Sequence, residues 1–352
     1  MLRSSLNAIA AALLVALLQG CASLGSEPDL DSLAFQRTSQ QRAAKELTVQ
    51  EAKAYAVWAV PFSRVASHVY CKYLSGNAPD KVSTEDCKSF PELSDTGWKE
   101  LYDWRSILTE DEGKSGLEFM AFGRADSGNR GEIVIGFRGT DFTSLSDWRS
   151  NLRWITRFVP LPGHDQYQIV HAHAQQLVDL ALASAKESFP LAPGFDVYST
   201  GHSLGGGLAQ LLAYSDSRVK AAVVFDPSPV TGYSTLVTNE QVNCGARVVR
   251  IYERGEALQY VRSVLRRFYS LSANIYEVSF DLLHARGNPV ANHSMTGFRG
   301  GLEARAKVSK ATRMPVTVAL LPQQSDCGCY RDRRPGDLSA DAAACRAAVA
   351  VQ

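Results

Sequence analysis

Gly201-His202-Ser203-Leu204-Gly205-Gly206 is the stretch that decides the fold of this chain. Val197-Tyr198-Ser199-Thr200 before it has the composition of a short strand, and Gly207-Leu208-Ala209-Gln210-Leu211-Leu212-Ala213 after it that of a helix. Gly-x-Ser-x-Gly set between a strand and a helix describes a nucleophile elbow. The turn is so tight that only glycine fits two residues either side of the serine, and the Oγ is pushed out above the sheet edge. The N–H of Leu204, in the first turn of the helix, then faces the place where an oxyanion would develop. A serine here can also be a plain helix N-cap. The catalytic alternative requires the chain to supply a base, an acid and a second oxyanion donor.

Working outward, strand and helix patterns alternate. Leu117–Phe122 and Glu132–Phe137 are strand-like runs joined by the turn Asp126-Ser127-Gly128-Asn129, which predicts a hairpin. Tyr167–Lys186 carries Val170, Ala174, Leu177, Val178, Ala181 and Ala185 at helical spacing. Val219–Phe225, Arg247–Tyr252 and Ile275–Phe280 read as further strands, with a basic helix over Leu258–Phe268. Val49–Tyr70 has helical spacing with a break expected at Pro61, and Ser75–Asp95 has loop composition. Such alternation predicts an α/β fold with a mainly parallel sheet and helices on both faces.

An activated serine needs a base, and the base needs an acid that orients it. In this type of fold the chain order is serine, acid, histidine. After Ser203 only His284 and His293 remain. His293 lies in a turn-rich loop after the last strand, as a histidine reaching over the sheet edge would, whereas His284 stands closer to the strand end. Between serine and histidine the candidate acids are Asp226, Glu253, Glu256 and Asp281.

These segments, taken as an ordered set from about Leu117 to Met295, resemble the class 3 (fungal-type) lipase family of α/β-hydrolases. Phe137-Arg138-Gly139-Thr140 is similar to its oxyanion motif, Asp147-Trp148 with Asn151-Leu152 to the stretch that follows, and Val170-His171 to the pair ahead of the elbow. His293-Ser294-Met295 resembles its histidine segment. The resemblance implies an α/β-hydrolase fold, hydrolysis of lipid esters and no cofactor or metal. It implies Ser203 as nucleophile, His293 as base, and Thr140 with Leu204 as oxyanion donors. Arg250–Leu258 aligns without gaps with the family's acid segment and puts Glu256 where that family has Asp. Phe225-Asp226-Pro227 departs from it where the family has Gly, which keeps Asp226 as the alternative acid. Trp148–Pro162 falls at the family's lid, with Trp148, Leu152, Ile155 and Val159 on one helical face.

The N-terminal residues 1–20 read as a signal peptide: Arg3, an apolar run Ala8–Leu18 too short to span a bilayer, then Leu18-Gln19-Gly20 before Cys21. That ending resembles a bacterial lipobox, which implies acylation of Cys21, a membrane tether over residues 21–48, and a place in the cell envelope. Ala22 in place of Asp favours the outer membrane by the same resemblance. Residues 49–312 are expected to form the hydrolase domain, and 313–352 a cysteine-containing extension. Six further cysteines suggest disulfides, with Cys71–Cys87 the most local pair. The 37 basic and 36 acidic residues nearly cancel, so charge points to no nucleic-acid partner. A phospholipase or acyltransferase would use the same triad, and a non-catalytic surface lipoprotein scaffold would keep only the fold.

Overall fold

The computed structural model describes residues 34–38, 44–73, 93–126, 129–139, 166–229, 243, 246–259, 262, 275–283, 289 and 291–306. In chain order the main elements are β1 (Ala34–Thr38), β2 (Lys45–Glu46), α1 (Val49–Tyr73), β3 (Lys99–Asp103), β4 (Phe119–Arg124) and β5 (Gly131–Phe137). There follow α2 (Gln166–Ala172), α3 (Ala174–Ser188), β6 (Phe195–His202), α4 (Leu204–Ser215), β7 (Val219–Phe225), β8 (Arg247–Glu253), β9 (Ile275–Phe280) and α5 (Met295–Ala306). The strands form one sheet in the order β2-β1-β9-β8-β7-β6-β5-β4-β3. β5 to β9 pair in parallel, while β4 on one flank and β1 on the other run antiparallel to them.

The sheet has a core on each face because successive residues of a strand point to opposite sides. Ile133, Ile135, Phe137, Val197 and Val224 point to the side of α2, α3 and α4. Val134, Tyr198, Phe225, Val249 and Ile251 point to the side of α1 and α5. Strands buried on both faces explain the unbroken apolar run of β7, in which only Lys220 is exposed. A parallel sheet covered on both faces, with the elbow after a central strand, is an α/β-hydrolase fold.

The hairpin and the three later strands lie where they were expected. Three expectations change. Pro61 does not break the first helix, which runs through it from Val49 to Tyr73. An interior proline costs about 3 kcal/mol, but Trp58, Phe62, Val65 and Val69 on the same helix are all buried, and each such side chain contributes roughly 1.5–3 kcal/mol. The helix expected over Tyr167–Lys186 is two, parted at His173, whose ψ of 5° departs from the helical value. The stretch expected to be pure tether supplies β1 and β2. Register pairs Phe35 with Ser279 and Gln36 with Val278, so the folded unit begins no later than Ala34. Its run of Gln36-Arg37-Thr38 carries no strand pattern, as fits a strand near the sheet margin.

Among the described residues no helix is long and apolar enough to cross a membrane. Residues 1–20, Cys21, the lid segment Trp148–Pro162 and the extension 313–352 lie outside them, and so does every cysteine except Cys71.

Candidate active site

Ser203 sits at the carboxyl end of β6 with φ 55° and ψ −123°. A non-glycine residue held there costs about 1–3 kcal/mol, so the surroundings must over-determine it. They do so through the backbone: its N–H donates to the Phe225 carbonyl (3.1 Å) and its carbonyl accepts from the Ser228 N–H (2.8 Å). The neighbouring glycines allow the approach. A Cβ on Gly205 would stand 2.2 Å from the Phe137 carbonyl oxygen, and one on Gly139 would stand 2.4 Å from that of His202. The loop after β5 is therefore pressed onto the elbow, where a second oxyanion donor has to come from. Ser203 makes no side-chain cap to α4, so the N-cap alternative does not describe it. Leu204 opens α4 beside it; Thr140 lies outside the described residues.

His293 ends a short 3-10 turn, Ala291–His293, just ahead of α5. Its Nδ1 is 2.8 Å from Glu256 Oε2. Glu256 is fully buried and its oxygens are well occupied: Oε2 also accepts from the Leu258 N–H (2.7 Å), and Oε1 from Arg262 Nη2. Burial pushes the Glu256 carboxyl up, but the Arg262 guanidinium, the His293 hydrogen bond and the Leu258 N–H outweigh it. The net result lies below the usual carboxylate range. An ionised carboxylate only accepts, so His293 Nδ1 donates to it and Nε2 becomes the basic nitrogen.

Asp226, the alternative acid, follows β7 and has φ 39°. Its Oδ1 accepts from the Glu253 N–H (2.8 Å), while its buried Oδ2 has no hydrogen-bond partner among the described residues. Burial, followed by the nearby Glu256 charge, pushes its carboxyl well above the ordinary range. Nδ1 of the histidine is thus met by Glu256, and Asp226 faces the backbone. Glu253 is committed elsewhere: its two oxygens accept from the Leu282 and Leu283 N–H groups at 3.0 Å, holding the chain as it leaves β9. Burial raises that carboxyl to about 7. Asp281 follows β9 directly, and His284 lies outside the described residues.

Two residues that sequence reasoning did not assign also shape the site. The His202 ring lies 4.5 Å from the His293 ring, centroid to centroid, with Tyr70 of α1 edge-on behind it at 5.6 Å. Burial and then the charges of His293 and Arg262 push the His202 ring well below its ordinary pKa, so it packs as a neutral ring. Arg262, read only as part of a basic helix, is buried against Tyr252 at 4.1 Å and donates to the Pro227 carbonyl at 2.8 Å. Nothing local in the sequence ties it to Glu256. Among the described residues, His202, Asp226 and His293 are a set that could gather round a cation, with ligand atoms within 4.8 Å of one another. A closed structural zinc site takes four protein ligands, and these are three.

The profile of the family described as Lipase (class 3) matches residues 134–234, which include the end of β5, the elbow and β7. Among solved structures, a Rhizomucor miehei lipase in complex with its propeptide is similar at 19% identity. That match covers 67% of this chain and 70% of that one, with a TM-score of 0.36. Lipase II from Rhizopus niveus is similar at 16% identity, covering 69% of this chain and 86% of that one, with a TM-score of 0.33. At such scores the superpositions are loose, and the fold rests on the sheet order and the elbow. No curated protein matches the chain.

Proposed function

We propose that this chain is a serine hydrolase that cleaves carboxylic esters of lipids through an acyl-enzyme. The observation that carries the proposal is the 2.8 Å contact between His293 Nδ1 and a buried, ionised Glu256, with the His293 ring 4.5 Å from that of His202, the residue before a strained Ser203. A scaffold that kept only the fold has no use for a buried carboxylate held against an imidazole, since an unneeded buried ion pair brings little stability. The class 3 lipase profile over residues 134–234 supports lipid esters as the substrate class.

In the first half-reaction Ser203 Oγ bonds to the ester carbonyl carbon while His293 Nε2 takes its proton. The Leu204 N–H, with that of Thr140, holds the negative oxygen. Glu256 stabilises the imidazolium without taking its proton. The carbon–oxygen bond to the alcohol then breaks as His293 returns that proton to the leaving oxygen. Water repeats the sequence on the acyl-enzyme and releases the fatty acid. Anchoring through lipid on Cys21, in the outer membrane of a bacterial envelope, would place the enzyme beside its substrate.

Ser203→Ala should abolish p-nitrophenyl ester hydrolysis and fluorophosphonate labelling while leaving the melting temperature unchanged. Persistent activity or labelling would remove the assignment. Product analysis with mixed lipids and added alcohols separates lipase, phospholipase and acyltransferase outcomes. Loss of palmitate incorporation in Cys21→Ala tests the anchor.

A further inference from the structure

We propose that Arg262 is a positioning residue that decides which of two buried carboxyls, Glu256 or Asp226, carries the negative charge behind His293. The inference rests on the serine-hydrolase function proposed above and names a part of that site which the triad itself does not contain.

Glu256 and Asp226 are both fully buried, and the Glu256 charge raises the proton affinity of Asp226. Two carboxyls in one dry site do not readily ionise together, so one charge must be allotted between them. Arg262 makes that allotment by geometry. Its Nη2 donates to Glu256 Oε1, its Nη1 is fixed by the Pro227 carbonyl at 2.8 Å, and its guanidinium lies over the Tyr252 ring at 4.1 Å. That guanidinium is held at three points beside Glu256 and reaches Asp226 only as a nearby charge. Asp226 receives only the Glu253 N–H on Oδ1, with Oδ2 unpartnered among the described residues. The charged and titratable groups facing Glu256 come from every neighbouring element: Asp226 after β7, Glu253 at the end of β8, Arg262 from the helical segment after it, and His293 from the turn before α5. Of these, only Arg262 is a permanent cation.

Removing it lets the proton move between the two carboxyls, and a protonated Glu256 no longer stabilises the imidazolium. Loss of a cation also makes proton uptake by the whole cluster easier, so the acid limb of the rate profile must rise in pH.

The test compares pH profiles of kcat and KM for wild type, Arg262→Gln, Arg262→Lys and Arg262→Gln/Asp226→Asn on a soluble p-nitrophenyl ester. Arg262→Gln should lower kcat about 10- to 100-fold with KM little changed, and move the acid limb to higher pH. The added Asp226→Asn change should recover part of kcat, because the charge then has one carboxyl to occupy. Arg262→Lys, which keeps the charge without the fork, should move the limb less in the same direction. It serves as the readout if Arg262→Gln does not fold. An unmoved acid limb in the folded variants, with no recovery by Asp226→Asn, would give Arg262 a packing role and overturn the proposal. Ser203→Ala and Glu256→Gln run alongside: activity surviving in them would sink the hydrolase assignment, whereas activity lost in them beside an unmoved Arg262 profile would sink the Arg262 assignment alone.

Discussion

Glu256 and Asp226 occupy the ends of neighbouring strands, β8 and β7, and neither carboxyl reaches solvent. The first is drawn below the ordinary carboxylate range by an arginine and a histidine; the second is pushed well above it by burial and by the first one's charge, against the pull of one backbone amide. Residue type does not separate them, since aspartate would be the shorter and more usual acid. Their surroundings do, because each additional donor lowers a buried carboxyl and each neighbouring negative charge raises it. A strand end thus supplies a position, and the partners around it supply the chemistry.

Exchanging the charge on one side of this contrast should give the largest effect. Glu256→Gln keeps size and shape but can hold the wrong histidine tautomer, and kcat should fall on the order of 10⁴-fold; a loss under tenfold would break the contrast. Next comes stability against pH. Glu253 has a folded pKa of about 7 against an ordinary 4.5, so its favourable contribution is complete below about 4.5 and is lost as pH rises through about 7. The loss amounts to about 3 kcal/mol, and melting temperature should fall across that window in wild type but stay flatter in Glu253→Gln. Glu256→Asp, one methylene shorter, should cost about 10- to 100-fold in kcat through displacement of the imidazole. Asp226→Asn should have the smallest effect, keeping kcat within about threefold. A loss matching that of Glu256→Gln would mean that Asp226 is the acid after all.

The legible parts of this molecule are those whose physics is local. A glycine-flanked serine between a strand and a helix, the β-branched runs of β7, β8 and β9, and the two late histidines each declare themselves within a few residues. Glu256 is singled out by its place in an aligned segment, and in three dimensions it lies 2.8 Å from His293 Nδ1. The parts that were misread depend on distant contacts. Pro61 is tolerated because of the sheet beneath its helix, and β1 exists because β9 offers it an edge. Arg262 belongs to the site only through a guanidinium–carboxylate contact made in three dimensions. Choosing between Asp226 and Glu256 required knowing what each one touches, which spacing along the chain does not report.

β1 has one more consequence, a matter of reach. Arg254, just past β8, lies over the Phe35 ring at 4.9 Å, so the first strand is fastened to the carboxyl end of β8 as well as to β9. Were Cys21 acylated as proposed, the 12 residues from 22 to 33 could let Ala34 stand at most about 40 Å from the lipid. An anchor that short would make the protein graze the leaflet to which it is moored and keep it from patrolling the fluid beyond.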